Sequence, residues 1–254
     1  MAELLENGTL LHISLGKILT GESMARIERE LAAQQNNRSL RMAVLQGAGA
    51  NFSYGASVEE HRPATAPHML KALSRLVKAI AHYPAPVAAL VQGKCLGGGF
   101  ELALACHLLF ATPDAQLGCP EVKLGVFPPV LAALGPWKLG GWLTQRLVLT
   151  GETIDARGFA TAIFEKDPLA EFLDWYRKGP AKLSAEALRN AALATRWEER
   201  GSAPRRAEAE GRSIGDARID ELERLYLDRV LPSHDGNEGI EAFVGRREPQ
   251  WTDS

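Results

Sequence analysis

The feature that most constrains this chain is a glycine triplet, Gly97-Gly98-Gly99, set between two apolar runs of different character. Upstream, Val87-Ala88-Ala89-Leu90-Val91-Gln92 is a short β-like segment; downstream, Phe100 to about Cys106 is a run of small apolar residues with helical character. The order is therefore strand, tight turn, helix. Adjacent glycines allow positive φ and leave backbone N–H groups uncovered by any Cβ, so an anionic oxygen can approach them at a helix N-terminus. Taken alone, such a triplet reads equally well as a turn or a close packing contact. Two carboxylates add to it: Glu101 in the first turn of the expected helix and Glu121 directly after Pro120. Each has a bland reading, Glu101 as an acid at a helix dipole and Glu121 as an exposed loop acid. Together, beside a dry pocket, two acids can hold one water and divide acid and base work.

The flanking sequence alternates between strand and helix. Thr9 to Ile13 is expected as a first strand, and Met24, Ile27 and Leu31 recur at helical spacing within Gly21 to Ala33. Arg41 to Gln46 is the next strand. Met69, Leu73, Leu76, Val77 and Ile80 mark an amphipathic helix with Pro67 in its first turn and Pro84 and Pro86 beyond its end. Leu108 to Ala111 and Ala115 to Gly118 are further short strands. Repeated β-α units imply right-handed crossovers and an α/β fold, a sheet flanked by helices. After Asp155 the pattern turns helical and charged, over Leu169 to Arg177, Ser184 to Ala194 and Asp216 to Leu231. Trp197 to Ser213 carries mixed charge and reads as an exposed linker or solvated helix. The expected division is a core over 1–195 and a C-terminal helical region over 196–254.

Composition narrows the function classes. With 254 residues, 46% of them apolar, the chain can bury a sizeable core. A net charge of -2 gives no electrostatic reason to expect a nucleic-acid partner. No run approaches the roughly 18 apolar residues of a membrane span, and Met1 to Glu6 is acidic where a signal peptide would be basic, so a cytoplasmic protein without a membrane partner is expected. Cys95, Cys106 and Cys119 lie in apolar runs and read as buried thiols. With His107 they match no zinc spacing, so no metal is expected. His61 lies in a loop where it could face a substrate or only solvent.

Several separated blocks, in order, resemble the crotonase (enoyl-CoA hydratase/isomerase) superfamily. Leu96-Gly97-Gly98-Gly99-Phe100-Glu101-Leu102-Ala103 is similar to the family's Gly-Gly-Gly-Cys-Glu-Leu-Ala block, and Pro120-Glu121 stands at the family's distance beyond it. Ala43 to Gly47 followed by Asn51 to Ser57 resembles the family's Val-Leu-x-Gly strand and Phe-x-x-Gly-Ala-Asp loop, with Ser57 in place of the usual Asp. Gly125 with Pro128, Leu149-Thr150-Gly151, and Gly239 to Phe243 with Arg246, Arg247 and Pro249 complete the likeness. The resemblance is dense from about 40 to 155 and weaker at both ends.

The resemblance implies a spiral of repeated β-β-α units with a C-terminal helical region that assembles trimers or hexamers and covers the site. It implies an acyl-CoA thioester substrate, with no cofactor beyond the coenzyme A that is part of that substrate. Carried over by position, the backbone N–H groups of Tyr54 and Gly98 form the oxyanion hole. Glu101 orients or deprotonates a water, and Glu121 holds or delivers the proton. Ser53, Gly55, Ala56, Gly97, Gly99, Phe127 and Pro128 are the expected substrate-binding positions. Within the family, Phe52 to His61, Cys95 to Gly99 and Leu124 to Phe127 resemble the cyclohexa-1,5-dienecarbonyl-CoA hydratases, and Pro128 to Pro136 replaces a glycine-rich segment at the acyl pocket wall. That likeness implies water addition to a cyclic dienoyl thioester. A general 2-enoyl-CoA hydratase and a non-catalytic CoA- or RNA-binding scaffold are the alternatives.

Overall fold

The computed structural model describes residues 1–195 and, beyond them, 219, 220, 223, 224, 226–232, 234–248 and 250. Six strands form the main sheet: β1 (Ala2–Leu5), β2 (Leu10–Leu15), β3 (Met42–Gly47), β4 (Val87–Val91), β6 (Leu108–Ala111) and β9 (Ala162–Ile163). They lie in the order β1-β2-β3-β4-β6-β9. All neighbours are parallel except the antiparallel edge pair β1 and β2.

The period-two alternation of the central strands explains the layers. Leu11, Ile13, Ala43, Leu45, Val87 and Ala89 point into one core, shared with α1 (Gly21–Gln34) and α2 (Ala66–Ala81). Leu10, Met42, Val44, Ala88, Leu90 and Phe110 point into the other, against Phe172 and Tyr176 of α6 (Pro168–Lys178). Both faces are thus covered, as a mostly parallel sheet requires. Phe110 anchors the second core, stacked on Phe164 at 5.3 Å between centroids and edge-on to Phe172 at 5.2 Å.

A smaller sheet joins β5 (Lys94–Leu96), β7 (Gln116–Gly118) and β8 (Thr153–Ile154) in the order β5-β7-β8. Isolated parallel bridges, Leu19 to Ala56 and Ser53 to Cys95, continue the same row. Successive turns of chain therefore place one strand in the main sheet and a second strand or bridge beside it before the next helix. β3 with Ser53 leads to α2, β4 with β5 to α3 (Gly98–Ala105), and β6 with β7 to α4 (Pro129–Lys138). This is the spiral of β-β-α units expected from the resemblance. Further helices are α5 (Gly141–Thr150), α7 (Ala185–Ala194) and α8 (His234–Val244).

Element boundaries follow the sequence reading with instructive differences. α2 has Pro67 in its first turn as expected, and α5 ends before Gly151, which adopts φ +60°. α3 begins at Gly98, two residues before the apolar run, because Gly97 turns at φ +51° and serves as its N-cap. The Pro128 to Pro136 segment, read as a pocket wall, is mostly helix: proline is at home in a first turn, where its missing N–H costs nothing. The Trp197 to Ser213 segment lies outside the described residues, as does part of Asp216 to Leu231, of which Tyr226–Val230 is a wide i→i+5 turn.

Candidate active site

A cavity of ≈ 560 Å³ opens where four pieces of chain meet: the Tyr54 to His61 loop, the N-terminus of α3, the 3-10 turn Pro120–Leu124, and the C-terminal residues Tyr226 and Phe243. Its walls are largely apolar, with Met69, Leu70 and Leu73 of α2 on one side and Leu124, Phe127 and Pro129 on another. The C-terminal helix reaches this site by backbone contact. A Cβ on Gly239 of α8 would fall 1.9 Å from the Leu124 carbonyl oxygen, so only glycine lets α8 lie against the turn that carries Glu121.

Both glutamates line the cavity. Glu101, on α3, is 2% exposed, and its Oε1 accepts the N–H groups of Val130 at 2.8 Å and Leu131 at 2.9 Å. Those are the second and third residues of α4, so the Glu101 carboxylate caps the start of a helix remote from it in sequence. Glu121 enters beside the glycine turn: a Cβ on Gly97 would sit 2.7 Å from its Oε1, and its buried Oε2 has no hydrogen-bond partner among the described residues. Burial raises the pKa of Glu101, to about 7, against the two N–H donors that favour its ionised form. Burial likewise raises Glu121, to about 8, and the charge of Glu101 pushes it further in the same direction. The two acids titrate as one interacting pair holding a single proton near neutrality.

The backbone donors differ in one position from the sequence expectation. Tyr54 lines the cavity, but its N–H donates to the Lys17 carbonyl at 2.8 Å and is therefore already engaged. Gly55, at φ +92°, turns the chain, and Ala56 then bridges Leu19 through the Leu19 N–H to Gly55 carbonyl and Ser57 N–H to Leu19 carbonyl bonds. That register leaves the Ala56 N–H outside the bridge. Among the described residues neither the Ala56 nor the Gly98 N–H has an acceptor. They lie side by side, since a Cβ on Gly98 would fall 3.4 Å from the Ala56 nitrogen. Tyr54 is thus corrected to Ala56 as the partner of Gly98.

Of the other expected contact residues, Ala56, Gly97 and Phe127 line the cavity, whereas Ser53, Gly55, Gly99 and Pro128 stand behind its wall. Ser53 is fully buried; its Oγ accepts the Gly55 N–H and donates to the Lys17 carbonyl, which fixes the turn. Gly99 packs against Ser53, where a Cβ would come within 2.8 Å of the serine Cβ. The cavity wall in that direction is Pro129, not Pro128. His61 lines the cavity with its Nδ1 2.8 Å from the Ser57 carbonyl, and burial lowers its pKa, which favours the neutral ring. Tyr226 escaped the sequence reading because it sits in a charged helical stretch without a motif. It is 1% exposed, lines the cavity and stands 5.7 Å from the Phe127 ring.

Paired carboxylates and two unengaged N–H groups in one apolar cavity suit proton transfer beside a carbonyl oxygen that gains negative charge. Comparison with known proteins places this arrangement in a family. The enoyl-CoA hydratase/isomerase family profile matches residues 19–254. The cyclohexa-1,5-dienecarbonyl-CoA hydratase of Thauera aromatica is 36% identical over 96% of this chain and 93% of its own. A probable enoyl-CoA hydratase of Bacillus subtilis is 30% identical over 85% of this chain and 83% of its own. An enoyl-CoA hydratase crystal structure from Bacillus halodurans superposes with a TM-score of 0.80 at 21% identity, covering 95% of this chain and 98% of the other. The chain belongs to the enoyl-CoA hydratase/isomerase family and is an enzyme of the hydro-lyase class. Among the described residues no helix is long and apolar enough to cross a membrane.

Proposed function

We propose that this enzyme adds water to cyclohexa-1,5-diene-1-carbonyl-CoA, giving 6-hydroxycyclohex-1-ene-1-carbonyl-CoA, within anaerobic degradation of aromatic compounds by way of benzoyl-CoA. The observation that carries the chemistry is the buried Glu101 and the half-buried Glu121 sharing one cavity. Glu101, held ionised by the Val130 and Leu131 N–H groups, takes a proton from water. The resulting hydroxide bonds to the β-carbon, and the electron pair moves through the α-carbon toward the thioester oxygen and the second double bond. The Ala56 and Gly98 N–H groups receive the oxygen as it becomes an enolate; one such donor is worth about 3 to 4 kcal/mol in the transition state. Glu121, the protonated member, delivers its proton to the far carbon of the dienolate, leaving a new conjugated enoyl thioester. Proton exchange between the two acids then restores the pair.

The substrate assignment is supported by the Thauera aromatica relative and by a cavity whose Leu73, Leu124, Phe127 and Pro129 walls suit a compact ring. The Bacillus subtilis relative favours the second reading, a general 2-enoyl-CoA hydratase. The proposal needs no cofactor beyond the coenzyme A of the substrate and no metal. It places the enzyme in the cytoplasm, with a core over 1–195 and a C-terminal region over 196–254 that completes the pocket. Exposed Trp142 and Leu149 on α5 support assembly as a homotrimer or homohexamer, which would cover them.

The test is hydration of cyclohexa-1,5-diene-1-carbonyl-CoA beside crotonyl-CoA by the purified protein, with products identified by chromatography and mass. Turnover of the cyclic diene at much the higher kcat/KM is expected. Preference for crotonyl-CoA supports the general hydratase, and reaction with neither removes both readings in favour of another chemistry of the family or a CoA- or RNA-binding scaffold.

A further inference from the structure

The chemistry above uses two carboxylates and two backbone donors, yet the cavity holds a further polar group. The Tyr226 ring is 1% exposed and its hydroxyl, also buried, has no hydrogen-bond partner among the described residues. A buried hydroxyl without a partner is unfavourable for folding and calls for a reason. Tyr226 occupies the first position of the wide turn Tyr226–Val230, closed by the Leu231 N–H to the Tyr226 carbonyl at 2.9 Å. Such i→i+5 turns recur at functional sites, where they redirect a side chain. Here the phenol lies against Phe127 and lines the same cavity as Glu101 and Glu121. Burial first, and then the charges of Glu121 and Glu101, hold its pKa well above the usual phenol range, so the group is a neutral O–H donor.

A donor next to two groups that handle water has an evident acceptor. The oxygen being added directs one lone pair at carbon and gives its proton to a carboxylate, which leaves a second lone pair free. After addition the same oxygen is a secondary alcohol with lone pairs to spare. A phenol facing the acyl chamber can donate to it in either state.

We propose that Tyr226 is a specificity-determining residue of the hydro-lyase site: its hydroxyl donates a hydrogen bond to the oxygen that is added to the acyl group. The enzyme thereby distinguishes a hydroxyacyl thioester from its deoxy counterpart. This rests on the hydration reading given above. It also deepens that reading, because it makes the hydrated acyl thioester the better-bound partner of the pair that reacts.

The experiment compares wild type with Tyr226→Phe, using three thioesters: the cyclic diene, 6-hydroxycyclohex-1-ene-1-carbonyl-CoA, and cyclohex-1-ene-1-carbonyl-CoA as a deoxy inhibitor. The KM for the hydroxyacyl thioester in the dehydration direction is expected to rise roughly tenfold, the scale of one buried hydrogen bond. The inhibition constant of the deoxy thioester should stay within twofold. The melting temperature should be no lower than wild type, because the hydroxyl satisfies nothing in the fold. An equal weakening of both thioesters would make Tyr226 a wall and overturn the proposal. So would unchanged constants, or a variant that unfolds. If wild type acts on crotonyl-CoA and not on the ring, the substrate reading fails separately. The same comparison then runs on 3-hydroxybutyryl-CoA against butyryl-CoA.

Discussion

Replacing Glu101 by glutamine is expected to abolish turnover and at the same time stabilise the protein at alkaline pH. The side chain is 2% exposed, and burial raises its pKa from 4.5 to about 7. At about 1.4 kcal/mol per pKa unit, keeping this carboxylate ionised in the fold costs about 3 kcal/mol. The sign follows from proton linkage: the folded form binds the proton more tightly than the unfolded chain. Stability is therefore full below about 4.5, declines as pH rises from there to about 7, and stays lower above that. Glutamine carries no charge, and its carbonyl oxygen can still accept the Val130 and Leu131 N–H groups now bound at 2.8 and 2.9 Å. Glu101→Gln should thus melt about 6 to 12 °C above wild type at pH 8, taking roughly 2 to 4 °C per kcal/mol for a chain of this size. The two proteins should converge toward pH 4.5. Thermal melts followed by circular dichroism at several pH values, beside a hydration assay, measure both effects. A variant that melts lower than wild type at pH 8, or a difference that does not change with pH, would show that burial is not what penalises this charge.

The pH dependence of catalysis gives an independent reading of the pair. Because Glu101 must be ionised and Glu121 protonated, the hydration rate should rise through about 7 and fall above about 8. Glu121→Gln should lose most turnover, and its residual rate should lack the alkaline limb; a retained limb would assign the falling arm to another group. At the oxyanion position, Gly98→Val should reduce kcat by about 10²- to 10³-fold, because its branches would cover the Ala56 and Gly98 N–H groups. Turnover within threefold of wild type would remove those two donors from the mechanism.

The parts of the site legible in the sequence were those that depend on local pattern. Gly97 to Glu101 announced a strand, a turn and a helix start, and Pro120-Glu121 lay at a telling distance; both glutamates do line one cavity. Tyr54 was misassigned because a hydrogen-bond direction is not a property of residue type. The φ of +92° at Gly55 decides which N–H faces Lys17 and which faces the cavity, and a Gly-Ala pair in sequence does not announce that. β5 was missed because three residues of Lys-Cys-Leu carry no period, and their strand exists through pairing with β7. Tyr226 belongs to the site through a long-range fold-back that no spacing encodes. Gly239 lets α8 lie against Leu124, a requirement visible only in that contact.

The division of labour between two chemically identical side chains also comes from outside them. α4 opens with Pro129, which has no N–H, so the first donors the helix offers are those of Val130 and Leu131, and both go to Glu101 Oε1. Hydrogen bonds to a charged group are worth about 1.5 to 3 kcal/mol each, and the helix terminus adds up to ~1 kcal/mol for an anion. Glu121, by contrast, has a buried Oε2 with no partner among the described residues and the charge of Glu101 nearby. Both are desolvated, so burial raises both and does not choose between them. The choice falls to the donors: the proton belongs on Glu121, and the charge on Glu101. The proline run that the sequence marks as a change in the acyl wall therefore has a second consequence. By starting a helix at that point, it selects which acid of the pair is the base.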